Sequence, residues 1–202
     1  KLAGVELQHP ALIKEIISEY DYTGRYYHTK EHLRSMFRVY DRFFKSPNVD
    51  VEFAIWYHDF FYDVKSKTSE ARSAEHASDK LTNDLKLPLD LGIRVGKLIL
   101  FTQYQVDPKS KDEMILRDVD LSIFGEVPEF FDEYEENIRR EYSFVPLADF
   151  RVGRAEILQR LLRPVFYSTP ELQASPYEGW AQSNIRRSLE KLKAFSSQEV
   201  PI

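Results

Sequence analysis

Five histidines punctuate this sequence, at positions 9, 28, 32, 58 and 76, and two of their settings could do chemistry. His28 and His32 are four residues apart, a spacing that on a helix puts two imidazoles on one face, one turn apart. His58 is followed directly by Asp59 in the apolar run Phe53-Ala54-Ile55-Trp56-Tyr57. A carboxylate beside an imidazole is costly to bury there unless something compensates, and a cation would, since both groups are good ligands. Taken singly, each pattern is more often a packing or surface feature than a ligand set. His9 and His76 read as ordinary solvent or packing histidines.

The chain has no cysteine, which removes disulfides, thiolate metal sites and cysteine nucleophiles. Any metal must therefore use histidine and carboxylate, a set suited to one divalent ion: Mn, Fe, Ni, Co, Mg or Zn. The net charge of −5 gives no support to binding a nucleic-acid polymer. No apolar stretch approaches the roughly 18 residues of a membrane span, and no membrane partner is expected. With no signal-like segment in Lys1 to Gln8, the expected location is cytoplasmic, although the chain starts at Lys1 rather than Met.

The elements that must position these residues are helices. The 202 residues are 43% hydrophobic and 30% charged, ordinary for a folded protein, with only 7 glycines and no long alternating stretch. Leu12, Ile13, Ile16 and Ile17 form a helix face behind Pro10; Thr29 caps a second helix with Leu33, Met36, Phe37 and Tyr40. Ser46-Pro47-Asn48 precedes a third helix holding the His-Asp pair, and Thr68 or Ser69 starts a fourth reaching about Leu85. Pro88 opens a fifth ending near Thr102, and a short one through Met114, Ile115 and Leu116 leads to Asp120. Beyond Gly125 and Pro128 come helices over Glu129 to Tyr142, Leu147 to Leu162 and Pro176 to Phe195. The expectation is an all-α fold, residues 1–202 forming a single domain.

The order of the pieces carries a resemblance. The chain contains Arg25-Tyr26-Tyr27-His28, Ala54-Ile55-Trp56-Tyr57-His58-Asp59, Glu70-Ala71-Arg72-Ser73-Ala74 and Asp118-Val119-Asp120-Leu121. Ile138-Arg139-Arg140-Glu141-Tyr142, Gly153-Arg154 and Ala181-Gln182-Ser183-Asn184 follow. Together they resemble the HD superfamily, in its branch of metal-dependent phosphohydrolases, over roughly Pro10 to Glu190. The resemblance implies an HD-domain-like helical bundle with a divalent metal on His32, His58, Asp59 and Asp120. His28 rivals His32 and Asp118 rivals Asp120. We favour His32 because Leu33 and Met36 give it an inward frame, and Asp120 because it directly precedes the leucine. His28 would then support the site or meet a substrate phosphate.

The same resemblance implies that Glu70, with Asp59, is a catalytic residue; Arg25, Arg139 and Arg154 are candidates for binding phosphate, for which the planar guanidinium is well shaped. Glu70 could equally be a first-turn carboxylate favoured by the helix dipole, and the arginines could be structural. The implied activity is hydrolysis of a nucleotide or other small phosphorylated compound, a metal-bound water attacking phosphorus. Self-association into a homo-oligomer is left open. One departure stands out: Phe101-Thr102-Gln103-Tyr104-Gln105 lacks the histidine the family often has there. That leaves room for a non-catalytic, metal-dependent nucleotide or effector binder on the same scaffold. A metal-free helical interaction module is the third reading.

Overall fold

A computed structural model of the protein describes residues 10–196, with side chains through 194; His9 and its expected role lie outside the described residues. Among the described residues there are helices and no strands, as the spacing of apolar residues predicts. None of these helices is long and apolar enough to cross a membrane. The chain divides after Asp120 into two compact units, at a point that no composition shift marks.

The first unit is built from α1 (Pro10–Tyr20), α2 (Lys30–Phe43), α3 (Val49–Tyr57), α4 (Ser69–Asp79), α5 (Leu89–Phe101) and α6 (Lys111–Asp120). In α2 the buried residues are His32, Leu33, Met36, Val39 and Tyr40, one continuous stripe at helical spacing. His32 therefore faces inward because it belongs to the stripe that packs the helix. Thr29 caps α2, its hydroxyl accepting from the Glu31 backbone N–H at 3.3 Å. Helix α3 is buried from Val51 to Tyr57 without a solvent face, the pattern of a central helix. Its start is fixed by Asn48, whose side chain accepts from the Val51 N–H and donates to Asp112 at 2.7 Å.

Helix α6 begins with a reciprocal cap. The Ser110 hydroxyl accepts from the Glu113 N–H at 3.1 Å while the Glu113 carboxylate accepts from the Ser110 N–H at 3.0 Å. This cap sets where the helix starts and so where Asp120 falls at its last turn. Helices α4 and α5 approach closely at glycine. A Cβ on Gly92 would lie 2.9 Å from Thr82 Oγ1 and 3.1 Å from the Ser78 carbonyl oxygen. The fourth helix does not run regularly to Leu85 as expected: after Asp79 it widens into a π-helical turn, Lys80–Asp84.

The second unit starts with a 3₁₀ turn, Leu121–Gly125, followed by α7 (Pro128–Glu141), α8 (Leu147–Leu161), α9 (Pro170–Gln173) and α10 (Pro176–Ser196). The four-residue α9 has no counterpart in the expected set, being too short for a periodic signal. Phe124, Phe131, Tyr134 and Phe166 form an aromatic core, with Phe124 within 5.6 Å ring to ring of the other three. Asn184, fully buried, donates to the carbonyls of Phe124 and Glu126 at 2.9 and 2.8 Å, fastening the turn to α10. Gly125 leaves no space for a side chain: an added Cβ would sit 2.5 Å from the Tyr167 hydroxyl and 2.6 Å from the Tyr177 ring. Gly125→Ala is therefore expected to cost about 1–3 kcal/mol of stability, measured by urea unfolding. A neutral result would show that both tyrosines can move aside.

Candidate metal centre

Helices α2, α3 and α6 each deliver one side chain to the same point. His32, His58 and Asp120 offer ligand atoms that all lie within 4.8 Å of one another. His32 Nε2 is 3.2 Å from His58 Nε2 and 3.0 Å from Asp120 Oδ1, and His58 Nε2 is 3.8 Å from the same oxygen. Asp59 reaches the group through His58, its Oδ2 lying 3.0 Å from Nε2. Both histidines are buried, and both carboxylates keep a narrow exposed edge.

The His-Asp pair does not lie inside α3. The helix ends at Tyr57; His58 is its C-cap and Asp59 follows in the turn. A helix end leaves carbonyl groups without intrahelical partners, and this one is finished by side chains from outside. Arg25 donates to the carbonyls of Asp59 at 2.7 Å, Phe60 at 2.8 Å and His28 at 3.3 Å. The Tyr20 hydroxyl donates to the Trp56 carbonyl and accepts from the Asp59 N–H, both at 3.2 Å. Further along, Ser73 exchanges hydrogen bonds with the backbone N–H and carbonyl of Phe61. The turn carrying the pair is thus held from α1, from the segment after it and from α4.

Arg25 serves as a backbone clamp, and a lysine could not span three carbonyls with the same geometry. Arg25→Ala should lower stability by about 3 kcal/mol, the scale of charge-assisted hydrogen bonds lost from a closed turn. Arg25→Lys should recover little of it. Equal melting curves for wild type and both variants would refute the clamp.

The electrostatics are those of a site built for positive charge. Burial works against a charge on His58, but Asp59 and Asp120 outweigh it and push its pKa up to about 9. Burial lowers the pKa of His32, only partly opposed by Asp120. For Asp59 burial is opposed by the nearby His58, which holds the carboxyl well below the usual range. Asp120 is likewise held down, against burial, by its hydrogen bond with His32. Two carboxylates and two imidazoles meeting at one point require a proton or a cation between them.

The residues fit a divalent ion. His58 Nδ1 donates to the Ile55 carbonyl at 2.9 Å, which in the neutral ring leaves the Nε2 lone pair facing the group. Asp120 Oδ2 accepts from the Tyr104 hydroxyl at 2.5 Å, leaving Oδ1 toward the histidines. Nitrogen, nitrogen and carboxylate oxygen form a donor set for a first-row divalent metal.

The rival residues have other settings. His28 lies before the start of α2, ahead of the Thr29 cap, so it shares no helical face with His32. Its ring stacks on Tyr62 at 4.1 Å and stands edge-on to His32 at 5.7 Å. Asp118, fully buried, lies 3.5 Å from Arg117. Glu70 stands half-buried in the first turn of α4 and makes no hydrogen bond or ion pair among the described residues. His76 stacks on Phe60 at 4.3 Å, with Nε2 3.6 Å from Glu15.

Arg139 and Arg154 belong to the second unit, where protein acceptors engage them. Arg139 donates to the carbonyls of Tyr142 and Val145 at 2.8 and 3.0 Å. Arg154 is buried, paired with Glu135 and bonded to the Tyr134 hydroxyl at 2.9 Å. Tyr20 and Tyr104 join the site without any signal in the sequence, since a tyrosine bonded through its hydroxyl leaves no spacing pattern. Compared with known proteins, the chain matches no family model, no curated protein and no solved structure.

Proposed function

We propose that this protein is a metal-dependent phosphohydrolase of the HD type, acting on a nucleotide or another small phosphorylated compound. The observation that carries the reading is the meeting of His32 Nε2, His58 Nε2 and Asp120 Oδ1 from three helices, with Asp59 beside them. When bound there, a divalent ion supplies the charge that acidifies water and polarises a phosphoryl oxygen. Asp59 and Asp120 hold the ligand imidazoles in register and balance the positive charge. In this reading Glu70, which has no partner among the described residues, would orient or accept a proton from the attacking water. His28, ahead of the α2 cap and edge-on to His32 at 5.7 Å, would meet a phosphate oxygen in this reading.

The test is a hydrolysis screen over nucleotides and small phosphate esters with metal-loaded wild type, Asp59→Ala and Glu70→Gln. Asp59→Ala should lose both metal and turnover. Glu70→Gln should keep the metal while slowing turnover by about 10²–10⁴-fold. Metal-dependent ligand binding with no turnover of any ester would replace hydrolysis by an effector-binding function. That second reading has its support in the stretch Phe101 to Gln105, which carries Tyr104 or Gln105 where the family it resembles often has a histidine.

A further inference from the structure

Two non-glycine residues among those described have a backbone in the left-handed region: Lys86, with φ of 56°, and Tyr104, with φ of 49°. Lys86 is an exposed lysine in the turn before Pro88. Tyr104 is different. For a bulky aromatic residue this conformation is strained, and strain of this kind persists only where surrounding contacts impose it. Those contacts are visible: its N–H donates to the Phe101 carbonyl at 2.9 Å, its ring stands edge-on to Phe101 at 5.6 Å, and its hydroxyl reaches Asp120 Oδ2.

The two oxygens of Asp120 thus have separate tasks. Oδ1 faces His32 and His58, and Oδ2 is taken by Tyr104. A carboxylate whose one oxygen accepts a short hydrogen bond resists the rotation needed to chelate an ion with both, and its other oxygen is fixed in direction. We infer that Tyr104 is a positioning residue that makes Asp120 a one-oxygen ligand, its strained backbone being the device that delivers the hydroxyl. The inference rests on the metal-binding reading of the site and concerns a residue outside the ligand set.

The experiment is cobalt(II) titration of the purified full chain, followed by calorimetry and by the visible absorption of the bound ion, for wild type, Tyr104→Phe and Tyr104→Gly. Tyr104→Phe removes only the hydroxyl. Tyr104→Gly accepts the left-handed backbone without strain, and so serves if Tyr104→Phe does not fold. Both should bind cobalt about 10–100-fold more weakly than wild type. Their bound-ion spectra should also change, because Asp120 becomes free to ligate with both oxygens. A merely structural role would alter melting of the metal-free protein and leave the spectrum alone. Wild-type affinity and an unchanged spectrum in the variants would overturn the inference while leaving the metal site standing. Failure of wild type to bind cobalt would overturn both.

Discussion

Replacing His58 by alanine is expected to abolish stoichiometric metal binding and to destabilise the metal-free protein as well. The loss of affinity should exceed the roughly 10–100-fold carried by a contact to a ligand, because a ligand itself is removed. The stability loss has a separate cause. His58 is 2% exposed and is the group that stands between Asp59 and Asp120, at 3.0 and 3.8 Å. Without it two poorly solvated carboxylates are left with only His28 and His32 to offset them, and removing one partner of such a group costs about 3 kcal/mol or more. Urea unfolding of the metal-free variant checks the second effect, and metal titration checks the first. A variant that melts like wild type and still takes up an ion would contradict the geometry described.

The second large effect is on pH dependence. The pKa of His58 rises from an ordinary 6.5 to about 9 in the folded protein. A raised pKa means that the folded state holds its proton more tightly than the unfolded chain does. The stabilisation is thus fully present below pH 6.5 and is lost as pH climbs through about 9, an amount on the order of 3 kcal/mol. Asp59 and Asp120, held below the ordinary value of 3.8, contribute in the opposite sense, their stabilisation fading as pH falls below that value. His32, whose pKa burial lowers, loses stabilisation as pH falls below 6.5, so metal-free protein should be most stable near pH 6.5. An ion competes with the His58 proton, so apparent metal affinity should rise about tenfold per pH unit between roughly 7 and 9. Proton release on binding, measured in buffers of different ionisation enthalpy, checks this directly. A flat affinity profile would show that His58 is not protonated before the ion arrives.

The parts of this site that depend on helical periodicity are legible in the sequence. Leu33, Met36 and Tyr40 define the inward stripe of α2, and His32 lies on it, whereas His28 precedes the cap. Asp120 and Asp118 lie two residues apart on α6 and point to different partners. The choice between them can be made from pattern, but not from any energy visible in the sequence. The Ser110-Lys111-Asp112-Glu113 cap is also written in the sequence as a spacing of known meaning, yet it stands out only once the structure shows both of its bonds.

What stays hidden are contacts that join a side chain to distant backbone. Arg25 clamps carbonyls 34 and 35 residues ahead of it, and nothing in its own neighbourhood signals that use. The left-handed turn at Tyr104 has no glycine or asparagine to announce it, because packing and a carboxylate impose it. The π-helical turn after Asp79 and the division after Asp120 are likewise tertiary in origin.

Three helices bring two imidazoles and a carboxylate together, and the function proposed for them depends on that group holding an ion. Elemental analysis of purified protein after reconstitution with divalent metals decides this, with His32→Ala and Asp120→Ala carried through the same steps. The expected result is about one ion per wild-type chain and a loss of bound ion in both variants. Wild-type protein that takes up no ion, or variants that retain a full complement, would contradict it.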